Sequence, residues 1–198
     1  MNKKNLRNYW ISPLIIIIGI FFFNTTSADV KIKASEKITN FLNVIQEFAS
    51  EKEQLNKAKK SNKLLDMIDL EFMSKVTIGK LWKTVNDNEK IIFKKRLFNK
   101  FIDFIDLHLE DFKEIKFKQK SIKLRGEKLV YVIGSIDTQK IKDLDITWKL
   151  SSKENKILDI EIEKISLIKT QKLEMRKLLK ENKKSFSKFI DIYFKNLN

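Results

Sequence analysis

The spacing of apolar residues changes twice along this chain, and those two changes constrain the fold more than any other feature. From Ile38 to Leu109 apolar side chains recur in steps of three and four, the period of helices with one buried side. After Asp111 the step becomes two. Ile115 and Phe117 alternate with lysines, Leu144, Ile146, Trp148 and Leu150 with Asp145, Thr147 and Lys149, and Leu158, Ile160 and Ile162 with Asp159, Glu161 and Glu163. From Leu167 to Leu179 and from Ser187 to Leu197 the helical step returns. Helices, then strands joined by short polar turns, then helices predict an α+β domain whose helices cover one face of an antiparallel or mixed sheet.

Within the first block, Ile38, Phe41, Leu42, Ile45 and Phe48 define an amphipathic helix, with Ser35 a plausible N-cap. The polar run Glu51–Lys60 reads as a solvated helix or loop. The stretch Met67–Trp82 combines an acidic turn, an apolar helix, one glycine and a tryptophan. Glycine inside a helix costs roughly 0.5–1 kcal/mol relative to alanine, so Gly79 reads as a C-cap or a close crossing. Phe72, Val76 and Trp82 can share a buried side. Asn86 and Glu89 form a capping box, which opens a helix carrying Ile91, Ile92, Phe93, Leu97, Phe98, Phe101, Ile102, Phe104, Ile105, Leu107 and Leu109. That face is wider than a surface helix needs, which suits either the spine of a core or the wall of a cavity. Gly134, in the middle of a strand pattern, reads as a bulge or a close backbone approach.

The first residues carry a different signal. Lys3, Lys4 and Arg7 precede an apolar run from Ile11 to Phe23, and Thr26-Ser27-Ala28 supplies small residues for cleavage. This is the pattern of a secretory signal peptide over residues 1–28, shorter than a membrane span needs, with cleavage expected after Ala28 and an uncleaved anchor as the alternative. One domain is expected over residues 29–198. There is no cysteine, which excludes disulfides, thiol nucleophiles and a lipid-anchored N-terminal cysteine. The formal charge is +15, and removing three positive charges with residues 1–28 leaves +12. Only Arg7, Arg96, Arg125 and Arg176 among the 41 basic residues are arginines. Bidentate phosphate recognition favours arginine, and export argues against nucleic acid as a partner.

Catalytic chemistry has little to work with. The single histidine, His108, reads as a structural residue at a helix end, with no acid–base partner legible beside it. Asp66, Asp69 and Glu71 fit helix starts better than a metal site. No phosphate loop, nucleophile elbow or catalytic carboxylate pair is present. The expectation is a protein with no catalytic residue, no metal and no cofactor.

Two segments resemble the MlaC family, the periplasmic phospholipid-binding proteins of the toluene-tolerance type. The first is Asp69-Leu70-Glu71-Phe72-Met73 followed by Ile78-Gly79-Lys80-Leu81-Trp82, with Phe93 and Phe98 on the next helix. The second is Leu158-Asp159-Ile160, Ile162 and Ile165-Ser166-Leu167-Ile168. The similarity covers most of residues 35–197. Lys164 stands where the family often has glycine, and Lys172 near a usual arginine. The resemblance implies a curved NTF2-like sheet and helices that enclose lipid tails in an apolar cavity. It also implies a Gram-negative periplasmic shuttle that maintains membrane lipid asymmetry. Its partners would be phospholipid cargo, an inner-membrane ABC transporter complex and an outer-membrane lipoprotein complex, with transient membrane contact. Trp82, Phe98, Phe101, Ile105, Val132, Ile146, Trp148 and Ile160 are the expected pocket wall. The alternatives are an exported NTF2-like adaptor without a ligand, and a carrier of another apolar molecule such as a hopanoid.

Overall fold

Seven apolar or small residues of the first helix, Ala34, Ile38, Phe41, Leu42, Ile45, Phe48 and Ala49, are buried along one stripe, which lays that helix on the sheet. The computed structural model of this protein describes residues 27–181 and 186–195. Helix α1 runs over Ser27–Ser50, so Ser35 lies inside it, where its hydroxyl donates to Gln119 Oε1 across to the sheet rather than capping a helix. The expected leader lies outside the described residues up to Thr26, and the cut expected after Ala28 falls in the first turn of α1.

The polar run becomes α2 (Gln54–Met67), with Leu64 its buried residue. Glu51 ties α2 to the end of α1: it accepts from Lys60 Nζ at 2.7 Å and from the backbone amides of Lys52 and Glu53. Asp69 then caps α3 (Leu70–Ile78), its carboxylate accepting from Phe72 N at 2.8 Å. Gly79 ends α3 with φ of 66°, the left-handed region where a side chain is strained. On α3 the buried residues are Ser74, Thr77 and Ile78; Phe72 is exposed and Val76 half-buried, so the expected shared side of Phe72, Val76 and Trp82 is not formed. A 3₁₀ turn over Gly79–Lys83 carries Trp82 to the start of α4 (Asp87–Leu107). The Asn86–Glu89 capping box is formed reciprocally. His108 closes α4, with Nδ1 2.9 Å from the Phe104 carbonyl oxygen, and a short α5 (Leu109–Lys113) follows.

The strands β1 (Lys116–Arg125), β2 (Leu129–Asp137), β3 (Leu144–Ser151), β4 (Ile157–Ile162) and β5 (Ile165–Ser166) form a five-stranded antiparallel sheet in sequence order. The fold is α+β, an open curved sheet with its helices over one face. Gly134 is a close approach: a Cβ there would fall on the Lys118 carbonyl oxygen and the Phe117 ring, beside the irregularity between Gln119 and Ser121. A second irregularity between Lys149 and Leu150 buries Ile157, Leu158 and Asp159 consecutively, which breaks the alternation the sequence predicts for β4. The β4–β5 connection is a two-residue turn with positive φ at both Glu163 (49°) and Lys164 (65°).

The C-terminal helices are α6 (Leu167–Glu181) and α7 (Phe186–Lys195). They make a second apolar cluster around Phe93, Met175, Phe189, Ile190 and Tyr193, separate from the main core beneath the sheet. Helix α4 joins the two, with Phe93 in the C-terminal cluster and Phe98 and Ile105 in the main core.

Candidate functional site

Between those two clusters the packing opens into a cavity of about 220 Å³. Helix α4 supplies its longest wall through Leu97, Phe98, Lys100, Phe101 and Phe104, residues at the spacing of one helical side. Opposite stand Ile160, Ile162 and Asp159 of β4. Leu70, Met73 and Thr77 of α3 and Leu167, Ile168 and Gln171 of α6 complete the ring, with Phe41 and Ile68 behind. The Phe41 and Phe101 rings stack at 6.2 Å to form the inner end. Phe104 and Leu167, both exposed, bring apolar surface out to solvent.

A linked set of hydrogen bonds fixes α6 against β4. Asp159 Oδ2 accepts from Ser166 Oγ at 2.7 Å and from Lys149 Nζ at 3.1 Å, while Oδ1 accepts from Ile168 N at 3.3 Å. Ser166 Oγ accepts in turn from Lys169 N at 3.1 Å, capping the first turn of α6. Burial disfavours the Lys149 ammonium, but hydrogen bonds to Glu161 and Asp159 outweigh it and hold its pKa above the usual lysine range. Lys149 is thus shared between Asp159 and Glu161, and the Asp159 carboxylate accepts from three donors. On the other side Lys94 donates to Glu71 at 3.0 Å, tying α4 to α3.

The remaining polar corner joins three elements. Lys100 Nζ donates to Gln171 Oε1 at 2.6 Å, Tyr193 Oη donates to the same oxygen at 2.5 Å, and Lys100 Nζ lies 5.5 Å from the centre of the Tyr193 ring. Desolvation pushes the Lys100 pKa below the ordinary lysine value, opposed by the field of Glu174. Burial pushes the Tyr193 phenol upward, with Glu174 adding to the shift.

Of the eight residues expected to form a pocket wall, Phe98, Phe101 and Ile160 line this cavity. Ile105, Val132, Ile146 and Trp148 lie in the main core, at most 4 % exposed. Trp148 sits one layer behind the cavity, edge-on to Phe41 with centroids 5.6 Å apart and to Phe117 at 6.4 Å. Trp82 is half-buried against the C-terminal cluster, with Lys90 Nζ 5.8 Å from its ring centre. The sequence reading did not single out Lys100, Gln171 or Thr77. A signal was available for the first two: each is a polar residue on an apolar helical stripe, Lys100 between Leu97 and Phe104, Gln171 between Ile168 and Met175.

Among the described residues no cluster of His, Cys, Asp or Glu could hold a metal ion, and no helix is long and apolar enough to cross a membrane. Helices over one face of an antiparallel sheet, with an apolar cavity beside β4, define an α+β architecture. The family model described as MlaC protein matches residues 34–192, and the chain belongs to that family. A solved structure, a phospholipid-binding protein from Ralstonia solanacearum in complex with a phospholipid, shares the fold. The two match with a TM-score of 0.62 at 12 % identity, over 85 % of this chain and 98 % of that one. No curated protein matches the sequence at a significant level.

Proposed function

We propose that this protein is an exported carrier that binds phospholipid, takes its acyl chains into the cavity between β4, α3, α4 and α6, and performs no chemistry on it. The observation that carries the reading is an almost wholly apolar cavity, open beside Phe104 and Leu167, in a chain of the MlaC family. The physical need is large. A diacyl lipid exposes roughly 30 methylenes at about 0.8 kcal/mol each in water, so crossing an aqueous compartment requires a protein that encloses them. The carrier shuttles lipid through the periplasm between an outer-membrane lipoprotein complex and an inner-membrane ABC transporter, as the family resemblance implies, and the leader-like pattern of residues 1–28 provides the route of export.

At about 220 Å³ the cavity is smaller than the roughly 300–1,000 Å³ of ordinary ligand pockets. Loading therefore widens it, and the half-buried Ile160, Ile162, Leu97 and Phe101 are the side chains with room to move. Native mass spectrometry of protein purified from the periplasm, followed by solvent extraction, tests the proposal. A phospholipid-mass adduct near one per chain is expected. A lipid-free mass that persists after incubation with phospholipid vesicles would overturn it in favour of a ligandless adaptor.

A further inference from the structure

Helix α6 lines the cavity with one side, through Ile168 and Gln171, and turns another to solvent. At helical spacing Lys169, Leu173, Arg176, Lys177 and Lys180 fall within one arc of about 100° on that outward side, and no acid shares it. All are exposed, Leu173 at 65 %. Glu174 lies outside the arc, and its field acts on Lys100 and Tyr193. On α4, by contrast, the cations Lys90, Lys94 and Arg96 each meet a carboxylate, those of Asp87, Glu71 and Asp191. Among the described residues no cation of the α6 arc has an ion pair. Arg176 and Lys180 are four residues apart and Lys177 and Lys180 three, spacings at which like charges destabilise a helix unless an external anion relieves them. The exposed apolar rim of the cavity adjoins this face. Leu167 opens α6, and Ile165, 61 % exposed, is the cross-strand partner of the cavity-lining Ile162.

We propose that the outward face of α6 docks directly on a bilayer surface bearing anionic lipids, its cations over the headgroups and Leu173 entering between them. The inference rests on the carrier reading for its purpose and on α6 for its geometry. Leu167 and Lys169 share one helical turn, so docking brings the rim of the cavity to the bilayer, where cargo enters or leaves. The residue types favour a bilayer over a protein partner. Protein interfaces are depleted in lysine and enriched in tyrosine, tryptophan and arginine. Here Arg176 is the sole arginine among the arc's cations, and no aromatic residue shares the arc. A lysine ammonium is a hydrated point charge on a flexible stem, suited to a diffuse layer of negative charge rather than to one fixed partner. A basic helical face with an apolar side chain set in it is a pattern of interfacial binding.

The test mixes protein purified from the periplasm with vesicles of phosphatidylglycerol and phosphatidylcholine, or of phosphatidylcholine alone, and reads the bound fraction by flotation. Wild type is expected to bind the phosphatidylglycerol vesicles at least roughly tenfold more tightly. A triple variant, Lys169→Gln with Lys177→Gln and Lys180→Gln, should lose roughly a hundredfold of that binding, at about fivefold per lysine near an anionic surface. Leu173→Glu, which sets an acid in the middle of the face, should lose roughly tenfold or more. A control triple removes the same charge from exposed lysines of the β1–β2 and β3–β4 hairpins, Lys123→Gln with Lys128→Gln and Lys153→Gln. It should change binding by less than roughly threefold, because charges beyond a Debye length are screened. Thermal unfolding confirms that each variant is folded. Equal losses in the two triple variants would show adsorption by net charge and overturn the docking face, as would unchanged binding in Leu173→Glu. Native mass spectrometry of the same wild-type protein keeps the two readings apart. Wild type that carries phospholipid but does not bind these vesicles overturns the docking face alone and leaves α6 to an acidic protein partner. Wild type that binds them yet never carries phospholipid overturns the carrier reading alone.

Discussion

Beneath β2 and β3 the space between sheet and helices is full; beneath β4 it is not. Cross-strand pairing runs through both regions, although the irregularity opposite Lys149 and Leu150 interrupts the alternation in β4. Val132, Trp148 and Ile160 are cross-strand neighbours in one row, yet Val132 and Trp148 are buried while Ile160 is half-exposed to the cavity. What differs is the layer above. Over β2 and β3 lie the large side chains of α1, with Phe41 edge-on to Trp148. Over β4 a ring of apolar side chains from α3, α4 and α6 is interrupted by Thr77, Lys100 and Gln171 and leaves a gap. The cavity thus lies where the helical layer leaves a gap over the irregular strand β4.

The sharpest way to break this comparison is to truncate one residue of the row on each side. Trp148→Ala should cost about 3–5 kcal/mol, the range for removing a large aromatic from a packed core. Ile160→Ala should cost distinctly less, because one side of Ile160 already lacks neighbours. Urea denaturation with a shared slope reads both. Equal losses would mean that β4 is as tightly packed as β3 and that the cavity has no energetic reality.

Enlarging a residue tests the open side directly. Ile160→Trp places bulk in existing space and should change stability by less than about 1 kcal/mol, below the usual cost of overpacking a filled core. Phospholipid loading should nevertheless fall by roughly tenfold or more, equivalent to about 1.4 kcal/mol of affinity. Retained loading would move the lipid site elsewhere.

The contrast also explains what the sequence could and could not disclose. Periods of 3.6 and 2 follow from backbone geometry, so α1, α4 and the strands from Lys116 to Ile162 were legible, as were the Asn86–Glu89 cap and the Gly79 C-cap. Burial by itself does not distinguish a side chain facing a gap from one facing a neighbour. Ile146 and Trp148 therefore looked as suitable for a pocket wall as Phe98 and Phe101, although only the latter two reach the cavity. Deciding between them requires knowing which helix lies over which strand, a long-range fact. The polar interruptions at Lys100 and Gln171 were the local clue, since a polar residue on an apolar stripe must face something other than dry core.

A smaller effect sharpens the role of the junction that carries α6 to the cavity. The two-residue turn at Glu163 and Lys164 requires positive φ at both positions, a conformation that favours Asn and Gly. Lys164→Gly should relieve the strain and raise stability by about 0.5–1 kcal/mol, read as a higher unfolding midpoint. Because the Asp159–Ser166 anchor is untouched, lipid loading should be unchanged. A destabilised variant would show that Lys164 is held in place by contacts outweighing the strain.

The smallest effect belongs to the filled side, at the seam between α1 and α2. Hydrogen bonds from Lys60 and from the Glu53 and Lys52 amides hold the half-buried Glu51 carboxyl well below its ordinary range, at about 2. A carboxylate with a depressed folded pKa contributes stability that is fully present above its unfolded value and lost as pH falls through its folded one. The difference in unfolding midpoint between wild type and Glu51→Gln should therefore be constant at neutral pH, shrink from the ordinary glutamate range downward, and vanish by about pH 2. Solvent screening keeps it modest throughout. Acidification favours the charged form of Lys100, so the same titration does not remove the cavity's own cation. Loss of phospholipid loading in step with the Glu51 transition would mean that the seam and the cavity are coupled. Loading that outlasts the transition would show the filled and open sides to be energetically independent.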